Sequence, residues 1–203
     1  AQVTNPPIDA LREEIVTSPV VYLGAEGNLL SPGPESCRRI RLSHPVLSKA
    51  ELARLKAVQD GPFKSAVLPI LFKAGGGGAA LKAALDALFA SAEEAIHEGA
   101  SILILSDRGV DEEHAAIPAL LAVSGLHHHL IRAGLRPKAS IVLESGEPRE
   151  VHHFACLIGY GAAAINPYVA LDTVRNLAET GYIEGFTPDE AEKTYIKVAW
   201  KGV

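Results

Sequence analysis

The sequence predicts an α/β fold: repeated βα units with parallel strands, arranged as a TIM-like half-barrel or an open sheet and preceded by an irregular N-terminal arm. Three observations predict it. From Ser65 onward, short apolar runs alternate with longer amphipathic stretches, the pattern of strand followed by helix. The run S-I-L-I-L-S, residues 101–106, is continuously apolar, as strands covered on both faces are. Before residue 63 the texture is different, punctuated by Asn5, Pro6 and Pro7 and again by Ser31, Pro32, Gly33 and Pro34. The expected division is therefore an arm over residues 1–62 and an α/β domain over residues 63–203.

Within the arm, short helices are expected over residues 8–15 and 48–59. In the second, Ser48 followed by Glu51 has the form of a capping box, in which each side chain satisfies the other residue's amide. The first strand of the domain is read over residues 65–72. A helix follows over 79–98, where Leu81, Leu85, Leu88, Ala92 and Ile96 recur at helical spacing. After the strand at 101–106 comes a helix over 117–132, closed by Gly134 at the position that favours a left-handed residue. A third strand over 139–144 leads to a helix over 150–160, and a fourth strand over 162–165 ends at Asn166 and Pro167. The helix over 171–179 stops before Gly181. The last helix, 188–200, begins after Thr187 with Glu190 three residues on, a second capping box. Four strand–helix units with right-handed crossovers fit a small doubly wound sheet or half of an eight-stranded barrel. A half-barrel leaves an open edge and a bare face, which is costly unless something covers it.

Composition narrows the function. With 48% hydrophobic and 21% charged residues the chain has enough apolar surface to fold. A net charge of -5 leaves no basic stripe for nucleic acid. No apolar stretch reaches the roughly 18 residues of a membrane span, and residues 1–7 lack a basic, then apolar, leader pattern. The two cysteines, Cys37 and Cys156, stand in no C-x-x-C pattern, so neither a disulfide framework nor a metal knuckle is expected, and a reducing, cytoplasmic setting fits. Methionine is absent even at position 1, which suggests a fragment or processed product.

Parallel sheets gather function at the carboxyl ends of their strands. Those positions hold Asp107 and Arg108 after the second strand, Glu144 and Ser145 after the third, and Asn166 after the fourth. If the second and third strands are neighbours, Asp107 and Glu144 lie close enough for acid–base work or metal binding. Arg108, Arg149 and nearby helix N-termini offer the plainer alternative of absorbing both charges, and that reading is favoured. His127, His128 and His129 share one helix and His152 and His153 another. Adjacent helical residues diverge by about 100°, so the triple run cannot present three ligands to one ion. A zinc site would need one histidine from each helix plus Glu144 or Glu147, and core or interface histidines are the favoured reading. The glycine run 75–78 precedes a helix and could attract an anion, yet Lys82 is misplaced for a phosphate loop, so a flexible connector is expected. From the residues alone, the domain shows no complete active site and no metal centre.

Several strings carry a family resemblance: A-Q-V-T-N-P-P-I-D-A-L-R-E-E at residues 1–14, G-A-E-G-N-L-L at 24–30, I-L-I-L-S-D-R-G-V-D at 102–111 and I-P-A-L-L-A-V at 117–123. H-H-H-L-I-R at 127–132, V-L-E-S-G-E-P-R-E-V-H-H-F at 142–154, G-Y-G-A-A-A-I-N-P-Y at 159–168 and Tyr195-Ile196-Lys197 continue it. The chain resembles the central region of the glutamate synthase large subunit over nearly its whole length. The resemblance implies a parent enzyme that hydrolyses glutamine, passes ammonia through an internal tunnel, and makes glutamate from 2-oxoglutarate at an FMN beside a 3Fe-4S cluster. Electrons come from NADPH or ferredoxin. It also implies that this segment holds no cofactor of its own and acts as a spacer that walls the tunnel, with the amidotransferase and FMN domains of the same polypeptide as its partners. It implies further that Asn5, Thr17 and Ser18 lie nearest the chemistry. The family carries a methionine where this chain has Thr17, within Val16-Thr17-Ser18-Pro19.

A scaffold and tunnel-wall domain is therefore the leading expectation. The rivals are a stand-alone barrel-type enzyme using Asp107 and Glu144, assembled by self-association of halves, and a small-molecule sensor holding an anion at residues 75–78.

Overall fold

The computed structural model describes residues 18–28, 30–59 and 61–203, so the helix expected over 8–15 and the candidates Asn5 and Thr17 lie outside the described residues. The arm contributes a short antiparallel pair, β1 (Val21–Leu23) and β2 (Ile40–Leu42), and helix α1 (Lys49–Lys56). The domain follows as β3 (Ser65–Pro69), β4 (Leu71–Lys73), α2 (Gly77–His97), β5 (Ile102–Ser106), β6 (His114–Ala116) and α3 (Ala119–Arg132). It continues with β7 (Ser140–Glu144), α4 (Val151–Gly159), β8 (Ala164–Asn166), α5 (Tyr168–Glu179) and α6 (Pro188–Gly202).

The principal sheet is parallel with the order β3-β5-β7-β8, so each strand lies beside the next of its kind in the chain. Alternation along the strands sorts the core into two. Leu68, Leu103, Leu105, Ile141, Leu143 and Ile165 meet Leu88 and Ile96 of α2, Leu126 and Leu130 of α3, and Phe154 of α4. The intervening residues Ile102, Ile104, Val142 and Ala164 meet Leu23, Leu47, Leu52 and Leu55 of the arm. Helices α2 to α4 thus share one face. Sequential order with one-sided helices is the arrangement of successive units in a βα barrel, whereas a doubly wound sheet reverses its order and carries helices on both faces.

The bare face expected for such a half-barrel is largely covered by the chain itself, because the arm's Leu52 and Leu55 lie one helical turn apart on α1 and seat on the sheet. Both borders of the sheet are partly covered as well. Beside β8, the Leu47 amide donates to Ile165 O and the Ile165 amide to Pro45 O, each at 2.8 Å. Beside β3, the Ser65 amide donates to Val58 O at 3.1 Å, the Gln59 side chain donates to Ser65 O at 3.1 Å, and Pro69 has no amide hydrogen. Val67, on the arm side of β3, remains half exposed.

The single strand read over 65–72 is two. Pro69 and Ile70 break it, and β4 leaves the sheet to pair antiparallel with β6, Leu71 opposite Ala116. The glycine run 75–78 is not a connector throughout, since Gly77 and Gly78 form the first turn of α2. Both capping boxes form: Ser48 Oγ accepts from the Glu51 amide at 3.3 Å, and Thr187 Oγ1 from the Glu190 amide at 3.3 Å. Gly134, at φ 70°, ends α3, with its amide bonded to Ile131 O and the Leu135 amide to Leu130 O. Among the described residues no helix is long and apolar enough to cross a membrane.

Candidate functional site

The register Ser106 opposite Glu144 opposite Asn166 brings three polar residues to the carboxyl ends of β5, β7 and β8, on the face that the arm covers. All three are buried. A buried carboxylate is tolerated only when charge and hydrogen bonds meet it, and Glu144 is met on both oxygens. Its Oε2 accepts from Lys56 Nζ at 2.7 Å and from Ser106 Oγ at 2.6 Å, and its Oε1 from Arg108 Nε at 3.2 Å. Burial pushes this carboxyl up, but the hydrogen bonds from Lys56, Ser106 and Arg108 and the charge of Lys56 outweigh it and hold it below its ordinary value. Lys56 is the last residue of α1, so the pair fastens the end of the arm helix to the sheet.

Asp107 lies next door but points elsewhere. Its Oδ2 accepts from Ser145 Oγ at 2.7 Å and from the Gly146 amide at 2.9 Å. Tyr168, at the start of α5, is pushed up to about 12 by burial first and then by the neighbouring Asp107 carboxylate. The Arg108 guanidinium lies over the Tyr168 ring, 3.5 Å from its centroid. Asp107 and Glu144 are brought to one corner, as adjacent strands require, with separate sets of partners. With Glu144 held ionised and Tyr168 held protonated, neither stands ready to exchange a proton near neutral pH. Asn166 donates from Nδ2 to Leu47 O at 2.8 Å, a second tie between arm and sheet.

The other sequence candidates separate. Ser18 accepts a local hydrogen bond from the Val20 amide at 3.2 Å. Arg149 does not serve the strand-end carboxylates as expected; its side chain lines a groove beside α4. The histidines have individual partners. His127 Nδ1 accepts from Arg136 Nε at 3.0 Å, His129 Nε2 meets Glu93 Oε1 at 2.5 Å, and His153 Nδ1 accepts the Arg149 and Glu150 amides at the start of α4. Glu147 accepts the Ala119 amide at the start of α3. Among the described residues no three metal-ligating side chains converge. Sequence reasoning missed Lys56 altogether: it lies 88 residues from Glu144, and its only local signal is a basic residue ending a helix.

These residues do not fit the cofactors of the resembled enzyme. Two cysteines in the whole chain are too few for a cluster that takes a thiolate at each of three irons. The strand ends where a barrel would hold a flavin phosphate carry two carboxylates, which repel a phosphate: Glu144 is met by Lys56 and Arg108, while Asp107 is held on Oδ2 by Ser145 and Gly146 and its buried Oδ1 has no partner among the described residues.

Sequential parallel strands, one-sided helices and a strand-end cluster centred on Glu144 define an α/β domain of successive βα units whose polar centre ties the N-terminal segment in place. The chain belongs to the glutamate synthase central domain family, whose model matches residues 1–203. It is 50% identical over its full length to the glutamate synthase [NADPH] large chain of Bacillus subtilis, of which it spans 13%. Over 96% of its length it is 44% identical to ferredoxin-dependent glutamate synthase 2 of Synechocystis, again 13% of that protein. It is 39% identical over 97% of its length to glutamate synthase [NADH] of Schizosaccharomyces pombe, of which it covers 9%.

Proposed function

We propose that the chain is the central scaffold and ammonia-tunnel-wall domain of a glutamate synthase, joining a glutamine amidotransferase domain to an FMN-binding synthase domain. In that setting glutamine and 2-oxoglutarate yield L-glutamate, and the FMN and 3Fe-4S cluster belong to the parent enzyme outside this segment. The observation that carries this reading is the match of one central-domain family over all 203 residues. The strand-end cluster supports it, because Glu144 is spent on Lys56, Ser106 and Arg108. A wall domain must be stiff and must keep a small neutral solute from bulk water. Arm and sheet joined by a common apolar layer and by Lys56 and Asn166 supply that stiffness. The division into an arm over 1–62 and an α/β domain over 63–203, with Asn5, Thr17 and Ser18 nearest the chemistry and a cytoplasmic setting, forms part of the same proposal.

The test compares glutamine hydrolysed with 2-oxoglutarate consumed in the full-length polypeptide. Leu52→Asp, which lifts α1 from the sheet, is expected to release free ammonia and drive that ratio above one while glutaminase turnover persists. A ratio that stays at one, with the arm shown by proteolysis to be detached, overturns the wall role. Purified alone, the chain is expected to lack glutaminase activity and flavin absorbance. A tightly bound flavin overturns the scaffold reading.

A further inference from the structure

A groove of about 610 Å³ lies outside the strand-end cluster, between the start of α3 and the exposed side of α4. Ala119, Leu120, Pro148 and Leu157 give it an apolar wall, and Arg149, His152 and Cys156 its chemistry. Cys156 Sγ lies 3.6 Å from His152 Nε2, one helical turn away. The neighbouring imidazole, His153, is committed to the amides at the start of α4, so His152 is the base left to the thiol. Cys156 sits in the last turns of α4, whose dipole opposes a thiolate, so the thiol depends on the adjacent His152 ring to take its proton. Half-buried in a recess of ligand size, Cys156 is placed to react with a molecule that the groove first holds.

We propose that Cys156 is a thiol-modification site, at which a small disulfide bearing carboxylates docks through Arg149 and exchanges with the Cys156–His152 pair. The thiol proton passes to His152 Nε2 and the sulfur attacks one sulfur of the bound disulfide. The S–S bond breaks, and the departing thiolate takes the proton from the imidazolium. The product is a mixed disulfide on Cys156 and one free small thiol, with the incoming disulfide as the oxidant.

The experiment uses the full chain carrying Cys37→Ser, so that one thiol reports. Its rate of adduct formation is followed by intact mass with oxidised glutathione and, separately, with an uncharged dipyridyl disulfide. Circular dichroism verifies that each variant is folded. With both reagents, His152→Ala is expected to slow the reaction at pH 7 by at least about tenfold, below the usual worth of a positioned base because the pair faces solvent. Arg149→Gln is expected to slow oxidised glutathione several-fold and leave the uncharged reagent unchanged. An unchanged rate in His152→Ala overturns the paired thiol. Equal sensitivity of both reagents to Arg149→Gln overturns the anionic class of ligand. Oxidised glutathione reacting faster with the urea-unfolded chain than with the folded one overturns the site itself.

Discussion

Replacing Lys56 by Met removes the ammonium from Glu144 while keeping most of the aliphatic stem. The Glu144 side chain is 5% exposed, that of Lys56 34% and that of Arg108 47%. A hydrogen bond to a buried charge is worth about 1.5–3 kcal/mol. Solvent access at Lys56 discounts this, and Arg108 and Ser106 remain to hold the carboxylate, so the expected loss is about 2 kcal/mol. For a domain of this size that corresponds to a fall in Tm of about 4–8 °C at pH 7. The pH dependence has a definite sign. Because the folded carboxyl titrates below its ordinary value of 4.5, its contribution is present above that value and lost as pH falls through the lower folded value. The gap between wild type and Lys56→Met should therefore narrow from pH 7 to pH 3, as read by calorimetry. A variant as stable as wild type at pH 7, or a gap that does not change with pH, refutes the claim that this pair fastens arm to sheet.

Gly161→Ala is expected to cost about 3 kcal/mol, seen as a lower urea midpoint with unchanged slope. Its φ is 116° and an added Cβ would lie 2.4 Å from His127 Nδ1. Arg136→Met removes the bonds to Ala139 O at 2.8 Å and Gly161 O at 3.0 Å and should destabilise by about 3 kcal/mol in the same assay. His127 titrates low because of burial first, then the charges of Arg136 and His128, so in that variant its imidazole resonance should titrate closer to the ordinary histidine value. Thr187→Ala is expected to cost about 1 kcal/mol and to speed amide exchange in the first turn of α6 alone.

The elements set by local chemistry were the legible ones. Continuous apolar runs gave β5 and β7 within a residue or so, and the Ser48 and Thr187 boxes placed two helix starts. Elements defined by distant partners were not. The pair β4 and β6 exists because Leu71–Lys73 meets His114–Ala116 across a whole helix, and nothing within three-residue strands announces it. The same separation explains the candidate site. Asp107, Arg108, Glu144 and Asn166 could be named because strand ends follow from strand positions, but Arg108, expected to absorb both charges, makes its ion pair with Glu144. Lys56 and Leu47, which complete the cluster, come from a helix and a loop whose seat on the sheet is a tertiary fact.

Pro69, at the end of the outermost strand, and the segment Pro45–Leu47, along the opposite one, leave few backbone groups with which a foreign strand could register. A unit sealed in this way can sit inside a much longer polypeptide, beside other sheets emerging from the ribosome, without templating a mispaired ribbon. Substituting Pro69 by threonine would restore a donor at that seam and make it the first place to look for domain-swapped or fibrillar by-products.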